Sequence, residues 1–271
     1  MSKGSMVLIS GATGGLGKAF AVECASRGWD LFLTDQSPER LEVLAGSLQN
    51  TYRVKVQYRA CDLTDVSARA NFFEHLRANG LRVWFLINVA GVDYEGPFYE
   101  QTCQQIRSII RLNVEATLEM THTMLEFRDP TTTFRIINVA SLAAFYPMPE
   151  KATYAASKRF LLDFSLALRE EVRSLGATVT ALCPAGMPTT QESVEAIEAQ
   201  GLMGQLTTLD IGEVAAGTLD SALRGRVVYI PGITNRVLQF LGGMFPTSLV
   251  VSLIGMRWKS ARQKRGLAVS V

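Results

Sequence analysis

Seven short runs rich in valine, isoleucine and leucine recur along the chain, with longer segments of helical spacing between them. This alternation restricts the fold more than any other feature of the sequence. The runs cover residues 6–10, 30–34, 54–60, 83–87, 133–139, 178–182 and 227–230. They are too uniformly apolar to keep one face in water, so they read as strands buried on both faces. Between them apolar residues fall three and four apart, as in Leu161, Phe164, Leu168 and Val172, the spacing of a helix with one face against a core. Parallel neighbours need crossover connections, which such helices supply. The expected architecture is a doubly wound α/β fold with a parallel sheet of about seven strands and helices on both faces. No repeat, low-complexity tract or Pro/Ser linker interrupts the pattern, so residues 1–271 read as one domain, with 231–271 as a C-terminal extension; only the long polar stretch 184–208, read as a lid over a site, and the tail after Ile230 break the rhythm.

A chain that is 48% hydrophobic and 19% charged can fill such a core, which excludes disordered and collagen-like classes. Its formal charge of +2 is too small and too dispersed for a nucleic-acid surface. Cys24, Cys61, Cys103 and Cys183 lie far apart without a C-x-x-C pair. His75 and His122 stand in helical patterns without ligand spacing, so neither a metal site nor a disulfide framework is expected. The first apolar run is short for a signal-peptide core and has no basic leader, and the thiol-reducing cytoplasm is the expected compartment.

The first strand ends in Ser10-Gly11-Ala12-Thr13-Gly14-Gly15-Leu16-Gly17, immediately before a helical pattern. Glycines at 11, 15 and 17 let backbone approach a pyrophosphate, while the free N–H groups at the start of the helix favour its charge. A tight turn that merely needs small residues is the alternative. The second strand ends at Thr34-Asp35, where a carboxylate can accept hydrogen bonds from ribose hydroxyls and repel a ribose phosphate, so NAD is expected over NADP. Asp35 before Ser37-Pro38 also suits a simple turn or cap. Further on, Tyr154-Ala155-Ala156-Ser157-Lys158 stacks a phenol and an amine on one helix face. A phenol titrates near 10, and an adjacent ammonium favours phenolate, so the pair reads as a poised proton donor. Ser141, thirteen residues upstream, sits just past a strand end, where ligand sites of open parallel sheets occur.

In this order the residues resemble the short-chain dehydrogenase/reductase family over residues 6–230. The glycine segment is similar to T-G-x-x-x-G-x-G with Ser10 in place of threonine, which implies a Rossmann-like fold and a cofactor loop of Ser10, Gly11, Thr13, Gly15, Leu16 and Gly17. Cys61-Asp62-Leu63 looks like the segment whose aspartate contacts the adenine ring, and Asn88-Val89-Ala90-Gly91 is similar to N-N-A-G, implying cofactor contacts at Asp62, Asn88, Ala90 and Gly91. The resemblance implies a tetrad of Asn113, Ser141, Tyr154 and Lys158. Pro184-Ala185-Gly186-Met187-Pro188-Thr189 resembles P-G-x-V-x-T, with Pro184 against the nicotinamide and Thr189 on its carboxamide. Val89, Ala185 and Met187 depart from the pattern, the first at a link between strands and the others at the nicotinamide seat.

The implied activity is hydride transfer between NAD(H) and a secondary alcohol or ketone. Tyr154 exchanges the hydroxyl proton, Ser141 stabilises the carbonyl oxygen, Lys158 holds the nicotinamide ribose and Asn113 links the lysine to solvent through water. Homo-dimers or homo-tetramers are the family's habit. An NAD-binding sensor or scaffold without turnover is the alternative, and its sign would be a missing acid/base group. Phe145-Tyr146 reads as core or pocket wall and suits a bulky hydrophobic substrate such as a steroid or acyl compound. Residues 237–256 carry no charge and are followed by Arg257, Lys259, Arg262, Lys264 and Arg265. Gly242-Gly243 and Pro246 divide them into two short amphipathic helices, expected to pack on the substrate pocket or a subunit interface in preference to a membrane.

Overall fold

The computed structural model describes residues 4–187 and 209–268. Seven parallel strands, β1 (Ser5–Ser10), β2 (Leu31–Asp35), β3 (Val56–Ala60), β4 (Arg82–Asn88), β5 (Phe134–Val139), β6 (Ala177–Leu182) and β7 (Val228–Tyr229), form one sheet in the order β3-β2-β1-β4-β5-β6-β7. The expected strands all form, with ends shifted by one or two residues, but burial on both faces holds only inside the sheet: edge strand β3 exposes Gln57 and Tyr58, and β7 at the other edge is half-buried. The order reverses between β1 and β4, so the crevice above their C-terminal ends is the topological switch point at which open α/β sheets bind ligands.

The alternation of side chains along each strand explains the two helical layers. In β1, Val7 and Ile9 face a core shared with α1 (Gly15–Ser26), α2 (Pro38–Tyr52) and α7 (Ile211–Leu223). Met6 and Leu8 face the opposite core, built on α3 (Val66–Ala78), α5 (Ala116–Glu126) and α6 (Ala152–Glu171). Neither face of β1 meets water, as the unbroken apolar run requires. The short α4 (Cys103–Ile109) continues through a π-helical stretch, Ile110–Glu115, into α5. Side-chain caps fix several helix starts. Ser37 accepts from Arg40 N–H, Asp65 from Ala68 N–H, and Thr102 forms a reciprocal box with Gln105.

The tail does divide at Gly243–Pro246, giving α8 (Ile233–Gly242) and α9 (Thr247–Ala268). The second helix is not short. At 22 residues it runs on through the basic cluster, because no proline follows Pro246.

Arg69 is fully buried at the seam of α3 and α5. Its guanidinium donates to Leu63 O at 2.6 Å, to Glu119 at 2.6 Å and to Glu115. Burial alone would weaken its hold on the proton, but the two carboxylates more than offset this and hold it above its ordinary value. Both carboxylates reach water, so they remain hydrated when the guanidinium is removed. Arg69→Ala is expected to cost about 3 kcal/mol in denaturant unfolding through lost packing and an unbonded Leu63 carbonyl. A loss below about 1 kcal/mol would show that the network is not structural.

Candidate active site

The glycine loop is shaped by contacts that exclude a side chain. Gly11 adopts φ +66°, and a methyl group there would stand 2.8 Å from the Ala90 backbone. At Gly17 a Cβ would lie 2.0 Å from Gly11 O. The loop between β1 and α1 is therefore pressed against the end of β4 and folded back on itself. Ser10 Oγ completes the junction by accepting from Val89 N–H at 3.2 Å and Ala90 N–H at 3.4 Å. Position 89 thus keeps its backbone link to β1 although it carries valine, and its side chain packs on the α1 core. Helix α1 starts at Gly14 with no side-chain cap, which leaves its first N–H groups open to an anion beside Gly15, Leu16 and Gly17. An uncapped helix start beside a loop that backbone alone can line fits the pyrophosphate of a dinucleotide.

At the end of β2, Asp35 holds this loop in place. One carboxylate oxygen accepts from Thr13 N–H at 2.9 Å and Thr13 Oγ1–H at 2.8 Å, and the other from Gln36 N–H at 2.7 Å. Arg40 Nη2 donates to Thr13 O at 3.2 Å, placing a guanidinium at the same corner. Asp62 is exposed after β3, where it accepts from Thr64 N–H and Oγ1–H. Asn88 offers the crevice only its backbone. Its amide turns into the protein and donates to Asn138 at 2.9 Å and Thr121 at 3.0 Å, while Asn138 donates to Ser165 at 3.0 Å. The neighbouring strand and helix thus satisfy the Asn88 nitrogen, while its buried Oδ1 has no hydrogen-bond partner.

Beyond the switch point four groups gather. Lys158, buried at 4% exposure, extends from α6 to donate to Val139 O at 2.8 Å. Asn113 lies in the π-helical stretch, where Ala116 N–H reaches Arg111 O five residues back. Its side chain accepts from Val92 N–H at 2.8 Å and donates to Val92 O at 3.0 Å and Ser157 at 3.1 Å. A Cβ on Gly91 would sit 3.2 Å from both Asn113 Oδ1 and Lys158 Nζ, so Gly91 lets these two groups close around the backbone. Ser141 follows β5 in extended conformation and accepts from Ala143 N–H at 3.1 Å, and it is also hydrogen-bonded to the Tyr154 phenol. The segment is stitched to β6 and Pro184 by Ala140 N–H to Leu182 O and Leu142 N–H to Pro184 O, both 2.8 Å. Thr189 and the polar stretch after it, to residue 208, lie outside the described residues.

The electrostatics correct one expectation. Burial pushes the Tyr154 phenol above its ordinary value, Asp93 adds to the rise, and only the Ser141 hydrogen bond acts the other way. Lys158 does not lower it in this state, because the ammonium is directed at Val139 O and lies 5.7 Å from the ring centroid. Burial lowers the lysine itself from 10.5 to about 8, against an opposing pull from Asp93. A cluster around Lys151 escaped the sequence reading. Lys151 pairs with Asp93 and with Glu95 at 3.4 Å, and its ammonium sits 5.7 Å from the Tyr154 ring centroid and 5.1 Å from that of Trp258 in α9. Its place three residues before Tyr154 was visible, but its acidic partners lie 58 and 56 positions away. His75, beside Arg59, and the exposed His122 join no site. Among the described residues no group of acidic, histidine and cysteine side chains could hold a metal.

A family model described as short chain dehydrogenase matches residues 5–199, and the chain belongs to that family. Curated relatives include a very-long-chain 3-oxoacyl-CoA reductase of Anas platyrhynchos, 32% identical over 187 residues that make up 67% of this chain and 59% of the relative. The human 17-beta-hydroxysteroid dehydrogenase type 3 is 29% identical over 192 residues, 69% of this chain and 61% of its own. The chain thus spans about three fifths of the length of these two relatives. Among solved structures, a short-chain dehydrogenase from Sphingobium yanoikuyae in complex with NADPH superposes with a TM-score of 0.74 at 30% identity, covering 89% of this chain and 93% of that one.

The position of Lys158 generates a pH-dependent expectation. Between about 8 and 10.5 the unfolded chain keeps a proton that the folded protein has released, so this group's contribution to stability rises with pH there. Below 8 its burial penalty, about 3 kcal/mol at ~1.4 kcal/mol per pH unit, is fully present. Lys158→Met is therefore expected to melt higher than wild type at pH 7 and to lose most of that advantage at pH 10, as read by thermal melts. A variant less stable than wild type at pH 7 would mean that the bond to Val139 outweighs desolvation.

Proposed function

We propose that the protein catalyses hydride transfer between a nicotinamide cofactor and a secondary alcohol or ketone. The observation that carries this reading is the convergence of Ser141, Tyr154 and Lys158 beyond the ends of β5 and β4, next to a glycine cradle that admits only backbone. The bound nicotinamide would supply hydride chemistry, which no side chain can perform. Every other role falls to the chain. Ser10, Gly11, Thr13 and residues 15–17 hold the pyrophosphate, and Asp35 and Asp62 border the adenosine. Ala90, Gly91 and Pro184 form the walls of the nicotinamide end, and Thr189 is assigned its carboxamide. Tyr154 gives or takes the hydroxyl proton, and Ser141 donates to the substrate oxygen as charge develops on it. Lys158 holds the nicotinamide ribose when its amine turns from Val139, while Asn113 fixes the loop at Val92 and completes the path from the lysine towards solvent.

The phenol needs help to act near neutrality, since burial holds it protonated in this state. That suits the reducing direction, in which a neutral phenol is the donor. NAD is the proposed cofactor because the Asp35 carboxylate would oppose a ribose phosphate. Arg40 at the same corner supports the second reading, NADP, which accompanies the Sphingobium relative. The substrate is proposed to be bulky and hydrophobic, in keeping with the acyl and steroid names of the relatives. Retention of both the phenol and the amine speaks against an NAD sensor without turnover. Cys24, Cys61, Cys103 and Cys183 are free thiols, as suits the proposed cytoplasmic setting, and a homo-dimer or homo-tetramer is the proposed assembly.

Tyr154→Phe should bind reduced cofactor as wild type does but lower turnover at least the roughly hundredfold typical of a lost acid/base group. Unchanged turnover on every active ketone would remove Tyr154 from the mechanism. In competition assays wild type should favour NAD over NADP, and Asp35→Ala should shift the ratio at least tenfold towards NADP. A wild type that prefers NADP would transfer the deciding role to Arg40.

A further inference from the structure

Helix α8 is amphipathic, with its apolar side turned outward. Ile233, Val237, Phe240 and Leu241 recur at i, i+4, i+7 and i+8 as one stripe, Met244 follows in the turn after the helix, and all are exposed, Ile233 at 74%, Phe240 at 67% and Met244 at 68%. Polar Asn235 is the buried one, at 1%. This orientation is anchored. Tyr146 donates towards Leu238 O at 3.1 Å and Gln239 O at 2.8 Å, and a methyl on Gly242 would stand 2.4 Å from the tyrosine oxygen. Helix α9 continues the pattern. Leu249, Leu253 and Met256 are exposed at i, i+4 and i+7, while Gly255 lies against Pro149 and Trp258 against Lys151. The inner side of the tail thus rests on Tyr146, Pro149 and Lys151, and its apolar stripe faces outward.

Charge says what the outer side meets. No Asp or Glu follows Asp220, whereas the second half of the α9 sequence carries Arg257, Lys259, Arg262, Lys264 and Arg265. Two copies of such a segment would repel each other, but a flat anionic surface would attract it. Among the described residues no helix is long and apolar enough to cross a membrane, so contact would be lateral. An outward apolar stripe beside a basic cluster is the composition of a helix that lies in a headgroup layer. We propose that α8 and α9 form a peripheral docking surface for an anionic lipid membrane, with Phe240, Met244, Leu253 and Met256 entering the acyl boundary and the basic cluster holding the headgroups. The inference stands independently of the hydride-transfer reading.

The test is flotation of the full chain with vesicles of phosphatidylcholine alone or with 30% phosphatidylserine. Wild type should float at least tenfold more with the anionic vesicles and be released by 0.5 M salt, since each basic residue near such a surface strengthens binding on the order of fivefold. Phe240→Glu/Met244→Glu should cut flotation at least tenfold while leaving the circular dichroism spectrum and cofactor binding intact. Lys259→Gln/Arg262→Gln should do so with the apolar stripe untouched. Absence of flotation in the wild type overturns the proposal, as does flotation of either variant equal to that of wild type. A wild-type dimer that Phe240→Glu/Met244→Glu converts to monomer, without any flotation, would overturn it in favour of a second copy of the chain.

Discussion

Close approach at the turn after β1 sets the geometry of everything above the sheet. Gly17 rides over the Gly11 carbonyl so tightly that a Cβ would come within 2.0 Å of the oxygen, and Gly11 presses on Ala90. These two contacts bring the start of α1 and the end of β4 to the same point, where the sheet reverses its order. The helix start then faces the crevice with its N–H groups free, and the strand end carries Gly91 towards Asn113 and Lys158. An alanine at either position would separate the phosphate cradle from the proton-handling groups, because backbone cannot yield as a flexible side chain does.

The second constraint is electrostatic. An amine whose burial lowers it to about 8 and a phenol whose burial raises it are both held against their solvation preference. Such groups persist where surrounding structure fixes them, and the stability they forgo is a common feature of sites that must move protons. The fixings are specific. Val139 O receives the ammonium, Ser141 bonds the phenol, and Asn113 ties the loop at Val92 to α6 through Ser157. Lys151, bound to Asp93 and stacked between Tyr154 and Trp258, connects the site to the tail helices.

Much of this was legible in the sequence because it is local. The apolar runs of the inner strands announce their burial on both faces, which the edge strands β3 and β7 lack, glycines at turns announce their backbone, and a four-residue spacing announces the Tyr154–Lys158 face. What was hidden depends on long-range contacts. The inward turn of Asn88 rests on Asn138 and Thr121, the preoccupation of the Lys158 ammonium rests on a carbonyl of β5, and the Asp93–Lys151 pair spans 58 positions. The tail shows the same limit. Its helical periodicity and its break at Pro246 could be read directly, but which face turns outward is decided by Tyr146 and Pro149, far upstream.

The central claim, that a pyridine ring in the switch-point crevice exchanges hydride with a carbonyl held by Ser141 and Tyr154, is tested most directly by isotope transfer. Reduced cofactor deuterated at ring C4, on each face in turn, is incubated with a bulky ketone, and the alcohol formed is examined by mass spectrometry and NMR. The account predicts one deuterium on the carbinol carbon from one face only. Alcohol that forms without deuterium from either face would contradict it.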